Sequence, residues 1–409
     1  MSSAEGEWLG AKEASALLGV RRETLYAYAS RGLVRVRRVG SARVYARADL
    51  EALRARSQAR RGHAAVAAGA LRFGEPVLDT RVSSIGADGP RYRGRSAVEL
   101  AQQDVSAERV AELLWTEVLP EHEPVWPRAE KVELDALRER QRVELSPAGA
   151  MLLVLANTPH DEGAASRSRE DELDSARRLL RLVAAAPALG LPPRWLDKAL
   201  SARTLAAALL SSLAKRSSEP AEAALNQALT LIADHELNAS TFVARVAASA
   251  GADMPRSLAA AFATLTGARH GGVCDRLDTV LDGFSRPEQA IAWVRAELAQ
   301  RRAVPGFGHP LYASGDPRAA PLLRASLELG ADVPRVRAVH VAIDAMALAG
   351  GEPATVDLGL VAIAAALGLR SGSAAAIFAL GRALGYVAHV LEQREQGFLL
   401  RPRAHYVGI

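Results

Sequence analysis

The chain has 409 residues, 49% of them hydrophobic but only 5% aromatic, and a formal charge of +5. At roughly 150 residues per domain that length suggests two or three units rather than one core, and an apolar set dominated by Ala and Leu favours helix over strand, so an all-α body is expected. A single cysteine, Cys274, excludes an intramolecular disulfide, and the opening MSSAEGEWLG has no basic stretch followed by an apolar one, which points to a reducing, cytoplasmic setting.

The basic excess sits at the N-terminus: residues 1–62 hold 13 Lys/Arg against 6 Asp/Glu, a net of +7, which leaves −2 for the remainder. Within that segment AKEASALLGV and RRETLYAYASRGLV predict two short helices around a tight turn at Gly19-Val20. Ala14, Leu17, Leu18, Leu25 and Tyr28 give them a shared apolar face. VRVRRVGSARVYA then predicts two alternating strands joined at Gly40-Ser41, and RADLEALRARSQARR predicts a helix opened by Asp49. This is the winged helix-turn-helix order. The segment resembles the MerR/excisionase-like DNA-binding domains, whose signature pairs a TLYxY second helix with GL and an Arg-rich wing. The resemblance implies that Arg21, Arg22, Glu23 and Tyr26 face the major groove of duplex DNA while Arg37, Arg38 and Arg43 on the hairpin meet phosphates. A basic module for protein contacts is the alternative; charge and motif agree on DNA.

RSQARRGHAAVAAGA, residues 56–70, reads as a helix end and connector. LRFGEPVLDTRVSSIGADGPRYRGRSAVELAQ follows as short extended runs broken at Gly-Glu-Pro and Ala-Asp-Gly-Pro. Helical periodicity returns with SAERVAELLWTEVLP, where Ser106 and Arg109 stand at the start and Pro120 ends the run. Almost every long segment beyond it reads as helix, with breaks at NTPHDEG, LGLPPRW and SSEPAE. No repeat of roughly 20–50 residues marks a solenoid. The longest uncharged apolar run near the C-terminus, Leu358–Leu369, has 12 residues, short of the roughly 20 that span a bilayer, so no membrane is expected.

Four stretches interrupt the helical pattern with clustered polar groups: ADHELNAST (233–241), TGARHGG (266–272), VPGFGHPLYASGDPRA (304–319) and ATVDLGL (354–360). Three carry a His beside Gly or at a helix end, and the fourth carries a lone Asp in an apolar helix. One such His alone is more often a core or capping residue. Four polar clusters together suggest one site assembled from several segments.

In order and spacing these four stretches resemble the citrate synthase family. YRGRSAVELA (92–101), GRALGYVAHVLEQ (381–393) and RPRAHYVG (401–408) extend the likeness from about Phe73 to the C-terminus. The resemblance implies an all-α, two-domain helical fold: a large domain from residues 73–272 and 375–409, and a mobile small domain from 273–374. A connector, 63–72, would join it to the winged helix-turn-helix of 1–62. The implied reaction is an acyl transfer that condenses acetyl-CoA with oxaloacetate to citrate and free CoA. Taking a proton from a thioester methyl requires a base together with a donor to the oxygen that becomes negative. By position in the family motifs Asp357 is the base, His270 the donor and His309 the group that polarises the ketone. His235, Arg318, Arg382 and Arg401 would hold the acceptor, a dianion suited to bidentate guanidinium contacts, with Arg401 contributed across a homodimer interface. Acyl-CoA enters as co-substrate, and neither a metal nor a bound cofactor is implied. Asp234, Glu236 and Asn238 would fix the turn that delivers His235, and Gly271-Gly272 with Gly306 and Gly308 would allow close backbone passage and hinging.

The same residues serve 2-methylcitrate synthase, which uses propionyl-CoA. A transcription regulator with a synthase-like sensing body is the reading from another class, favoured by the basic head. Joint retention of Asp357, His270 and His309 favours the enzyme. Three departures bear on the acyl-CoA grip. Leu358-Gly359-Leu360 follows Asp357 where many relatives have an aromatic residue and Ser-Gly, Ala313 replaces a frequent Lys or Arg, and HGGVCD replaces HGGAxE, which puts Cys274 near the site.

Overall fold

The computed structural model describes residues 8–18, 20, 22–30, 34–39, 42–47, 49–50, 78–86, 88–140, 144–160, 168–402 and 406. The chain divides into two compact units, residues 1–79 with 401–409 and residues 80–400.

In the first unit β1 (Trp8–Gly10) leads into α1 (Ala11–Leu18) and α2 (Arg22–Ser30), followed by β2 (Val36–Val39) and β3 (Ala42–Ala46). The antiparallel sheet has the order β1-β3-β2. Ala14, Leu25, Val34, Tyr45 and Leu50 are buried, and Leu17, Leu18 and Tyr28 pack against them, so the apolar face read from the helical spacing is the one the unit buries. Strand β1 was not expected: three residues, WLG, are too few to show an alternation. Asp49 accepts both the Arg35 backbone N–H at 2.8 Å and a two-pronged guanidinium contact at 2.8 and 2.9 Å. Gly19, Arg21, Gly40, Ser41, the helix expected beyond Leu50 and the connector 63–72 lie outside the described residues.

The second unit opens with an antiparallel meander, β4 (Ser83–Gly86), β5 (Gly89–Tyr92) and β6 (Arg95–Ser96), in the extended runs the sequence marks. Helices follow in the order α3 (Ala97–Gln102), α4 (Ala107–Thr116), α5 (Lys131–Arg140), α6 (Pro147–Asn157), α7 (Arg169–Ala185), α8 (Pro193–Ser201), α9 (Leu205–Leu213) and α10 (Glu219–Leu231). The chain then forms α11 (Ala239–Ser249), α12 (Met254–Leu265), α13 (Gly272–Asp282), α14 (Gln289–Ala299), α15 (Ala319–Gly330), α16 (Pro334–Leu348), α17 (Val356–Ala366) and α18 (Ser373–Gln396). Starts are set by local chemistry. Ser106, Ser146, Ser168, Thr204, Ser218, Asn238 and Asp253 each accept an orphan backbone N–H of the helix they precede.

Helix α18 is the axis of this unit and packs on α4, α6, α10, α11, α12 and α17. By length and composition it could cross a membrane, yet 94% of its apolar window is buried inside the protein, as the central helix of a core requires. Close approach is enforced at Gly385, where an added Cβ would lie 2.5 Å from the Ala233 carbonyl oxygen. Its N–H donates to that carbonyl at 2.9 Å. The turn after α10 is thereby fastened to α18, which positions the site.

Candidate active site

The turn 233–238 leaves the core with its charge already tied down. The buried Asp234 carboxylate accepts Ser83 Oγ–H and the Glu236 N–H, with His389 Nε2 3.4 Å away. Burial would raise its pKa, but His389 and Arg382 outweigh that and hold it low. Glu236 takes φ +54°, a left-handed conformation that non-glycine residues adopt at a cost, and this bend turns out His235. Asn238 Oδ1 then caps α11 by accepting the Ser240 and Thr241 N–H groups at 3.1 Å. His235 Nε2 lies 2.8 Å from Tyr312 Oη. Its ring meets the His309 ring edge-on at 5.4 Å, and His309 lies 4.7 Å from the Tyr312 ring.

Two buried arginines face this group. Arg318 gives Nε and Nη2 to Asp316 at 2.9 and 2.8 Å, while Nη1 has no hydrogen-bond partner among the described residues. Arg382, on α18, has neither Nε nor Nη1 paired, and its guanidinium lies 5.2 Å from the Phe378 ring. Buried polar groups are nearly always satisfied; these edges stay open at the place where three imidazoles converge. Burial lowers the pKa of Arg382, with Arg318 adding repulsion. Burial and the two arginines push His235 well below the usual imidazole range, burial and Arg382 bring His270 to about 4, and burial and Arg318 lower His309. Each shift favours the neutral ring at pH 7.

Asp357 lies in the first turn of α17, and burial raises its carboxyl pKa. Thr355 Oγ1 donates to Oδ2 at 3.0 Å and Cys274 Sγ to Oδ1 at 3.6 Å. The loop carrying His309 is stitched to the start of this helix. Thr355 N–H donates to the Gly306 carbonyl at 2.8 Å, Gly308 N–H to Pro353 at 2.9 Å, and Val356 N–H to Asp316 Oδ2 at 3.0 Å. Gly306 and Gly308 both have positive φ, 83° and 77°, which glycine adopts without strain. His270 Nε2 lies 2.7 Å from Ser240 Oγ, which in turn accepts the Tyr386 hydroxyl at 2.7 Å.

Of the residues singled out in the sequence, His235, His270, His309, Arg318, Arg382 and Asp357 form this one constellation. Arg401 falls in the first unit and is exposed. In that unit Arg22, Arg37, Arg38 and Arg43 are exposed, as is Tyr26, and Arg38 stands directly opposite Arg43 on the β2–β3 ladder. Arg37, expected at phosphate, lies over the Trp8 ring at 4.5 Å. The sequence reading missed Tyr312, Ser240, Tyr386 and Thr355, and it passed over Asp316 although GDPRA places it two residues before Arg318. No group of three or more His, Cys, Asp or Glu suited to a metal occurs among the described residues.

A helical body with these features has known counterparts. The citrate synthase of the thermophilic archaeon Thermoplasma acidophilum, solved as a ternary complex with carboxymethyl coenzyme A and oxaloacetate, shares the fold. Its TM-score is 0.68 at 22% identity, over 84% of this chain and 96% of that one. Citrate synthase from Haloferax volcanii is 31% identical over 358 residues, 81% of this chain and 93% of its own length. 2-Methylcitrate synthase from Mycobacterium tuberculosis is 29% identical over 78% of this chain and 84% of its own length. Citrate synthase 2 of Bacillus subtilis is 37% identical, but over only 50% of its length. The family model described as "Citrate synthase, C-terminal domain" matches residues 72–403, and that described as "Helix-turn-helix domain" matches residues 8–58. The chain belongs to the citrate synthase family: it is a citrate synthase-like enzyme with a helix-turn-helix segment at its N-terminus.

Proposed function

We propose that the body condenses acetyl-CoA with oxaloacetate to give citrate and free CoA. The observation that carries this reading is the pair of buried guanidinium groups, Arg318 and Arg382, with unpaired N–H edges beside three imidazoles shifted toward the neutral form. Such a pocket is electrostatically incomplete until a small anion with two carboxylates enters it. His235 and, from a second copy of the chain, Arg401 would complete the grip. Asp357 takes a proton from the acyl α-carbon, its raised pKa making it a stronger base than an exposed carboxylate. Neutral His270, in the tautomer whose Nε2 accepts the Ser240 hydroxyl in place of Asn238 Oδ1, would offer Nδ1–H to the thioester oxygen as charge develops there. His309 donates to the ketone oxygen, the new carbon–carbon bond forms, and hydrolysis of the thioester releases CoA. Closure of residues 273–374 over the larger part would exclude bulk water from the proton transfer and carbon–carbon bond formation, leaving a single water to be consumed in the hydrolysis.

Propionyl-CoA as acyl donor is the alternative, supported by the 2-methylcitrate synthase relative. The experiment that tests the reading offers oxaloacetate with a panel of acyl-CoAs and identifies products by mass. Citrate as the dominant product supports the proposal, 2-methylcitrate shifts it to the alternative, and no condensation product refutes both. The first unit is proposed to bind duplex DNA, because its helix-turn-helix match coincides with the exposed Arg22, Arg38 and Arg43. A dimeric, cytoplasmic protein would present two such heads.

A further inference from the structure

We infer that Thr355 and Cys274 act as a two-sided clamp on Asp357, with the Cys274 thiol a positioning residue for the base. The inference rests on the reading of Asp357 as the base. It is carried by two donors from separate elements that meet the two oxygens of one carboxylate: Thr355 Oγ1 on Oδ2 at 3.0 Å, and Cys274 Sγ, from α13, on Oδ1 at 3.6 Å.

Each donor has its proton committed to Asp357. Thr355 Oγ1 also lies 3.2 Å from the Gly306 carbonyl, but Asp357 Oδ2 is nearer at 3.0 Å and an ionised carboxylate is the stronger acceptor. Cys274 is completely buried, and Asp357 is its hydrogen-bonding neighbour. Burial, followed by the negative Asp357 and Asp278, drives the thiol pKa well above its ordinary value. A thiol that does not ionise can serve Oδ1 as a donor, weak in kind but fixed in place. The other charges facing the carboxylate are Arg318, which favours its ionised form, and Asp316, which opposes it, both from the loop before α15. Asp275 and Asp278 stand behind Cys274 on α13.

The clamp does two things for a base. It fixes the rotation of the carboxylate about its Cβ–Cγ bond, and it stabilises the ionised form against the desolvation that burial imposes. Removing a donor raises the carboxyl pKa, so activity is lost on the acid side of the profile and kept on the alkaline side. A residue that only fills space would, when truncated, lower activity by the same factor at every pH.

The test is the pH dependence of oxaloacetate-dependent thiol release by the full chain and its Cys274→Ala, Cys274→Ser and Thr355→Val variants. Cys274→Ala should move the acid limb of kcat/KM to higher pH, with about a threefold loss on the falling part of that limb and almost none at pH 9, consistent with a weak donor. Thr355→Val should lose roughly tenfold on the falling part of the same limb, in line with a charge-assisted bond. Cys274→Ser, which restores a donor of nearly the same size, should recover the acid limb. An unchanged profile in Cys274→Ala, or a uniform loss that Ser does not repair, overturns the clamp. Absence of turnover in the unmodified protein would instead refute the assignment of Asp357 itself.

Discussion

Replacing Arg382 by Met removes a buried guanidinium whose charged counterpart is Asp234 and whose Nε and Nη1 are unpaired among the described residues. The residue is 3% exposed, two of its N–H-bearing nitrogens have no hydrogen-bond partner among the described residues, and burial with Arg318 lowers its pKa. Orphaned buried donors cost about 1–3 kcal/mol each, and Met keeps an unbranched apolar side chain while losing the guanidinium that lies 5.2 Å from the Phe378 ring. With the lost attraction to Asp234 and the lost Phe378 contact set against that, the gain for the empty protein is at most about 3 kcal/mol, a rise in Tm of up to roughly 5 °C for a body of this size. Binding moves the other way. Two charge-assisted bonds to a carboxylate, at about 1.5–3 kcal/mol each, put the loss of oxaloacetate affinity at roughly 10²–10⁴-fold. Scanning fluorimetry with and without oxaloacetate reads both effects. The wild-type Tm should climb with ligand, by the equivalent of about 2.7 kcal/mol at a hundredfold excess over Kd. Arg382→Met should start higher and stay flat. A variant that is less stable when empty and still responds to oxaloacetate would refute the reasoning.

Mixing inactive Asp357→Asn subunits with inactive Arg401→Ala subunits should restore part of the activity, because one site of each mixed dimer would hold both groups; no recovery after demonstrated subunit exchange would show that each chain builds its own site. Burial raises the Glu108 carboxyl from 4.5 to about 7, so the folded state prefers its neutral form. Its stabilising contribution is complete below the unfolded pKa of 4.5 and is lost as pH rises to about 7, a fall of roughly 3 kcal/mol. Glu108→Gln should flatten that slope in urea melts, and an unaltered slope would show that other groups set it. Duplex DNA should bind the intact protein with affinity that falls steeply with salt. Arg43→Ala should weaken all sequences alike, Arg22→Ala should mainly reduce discrimination, and no mobility shift at low salt would count against a DNA-binding head.

Polar groups stand out in an Ala- and Leu-rich helical background, and this is why His235, His270, His309 and Asp357 were legible in the sequence. The residues that set their chemistry were not. Ser240 follows an N-cap by two positions, where Ser has an ordinary local use. Tyr386 sits in an apolar helix where an aromatic reads as core. The bond between them spans 146 positions, so neither spacing nor composition signals it. Tyr312 is hidden in a loop whose glycines draw the eye to hinging. The arginines were placed by family motif, but their unpaired edges are properties of packing. In helix α18, Arg382, His389 and Glu392 break the apolar run in the sequence, while the fold buries all three. On the first unit, β1 was too short to be seen in the sequence, and it is β1 that brings Trp8 beneath the Arg37 guanidinium.

The central claim is that Asp357 acts as a base on an acyl thioester in a pocket completed by a dicarboxylate. It is tested most directly by continuous measurement of thiol release from acetyl-CoA and propionyl-CoA, with and without oxaloacetate, for the wild-type chain and Asp357→Asn side by side. The account predicts release that requires oxaloacetate and falls by roughly 10²–10⁴-fold in the variant, which still gains Tm on adding oxaloacetate. Release that does not depend on oxaloacetate, or an Asp357→Asn chain within a few-fold of wild type, would contradict it.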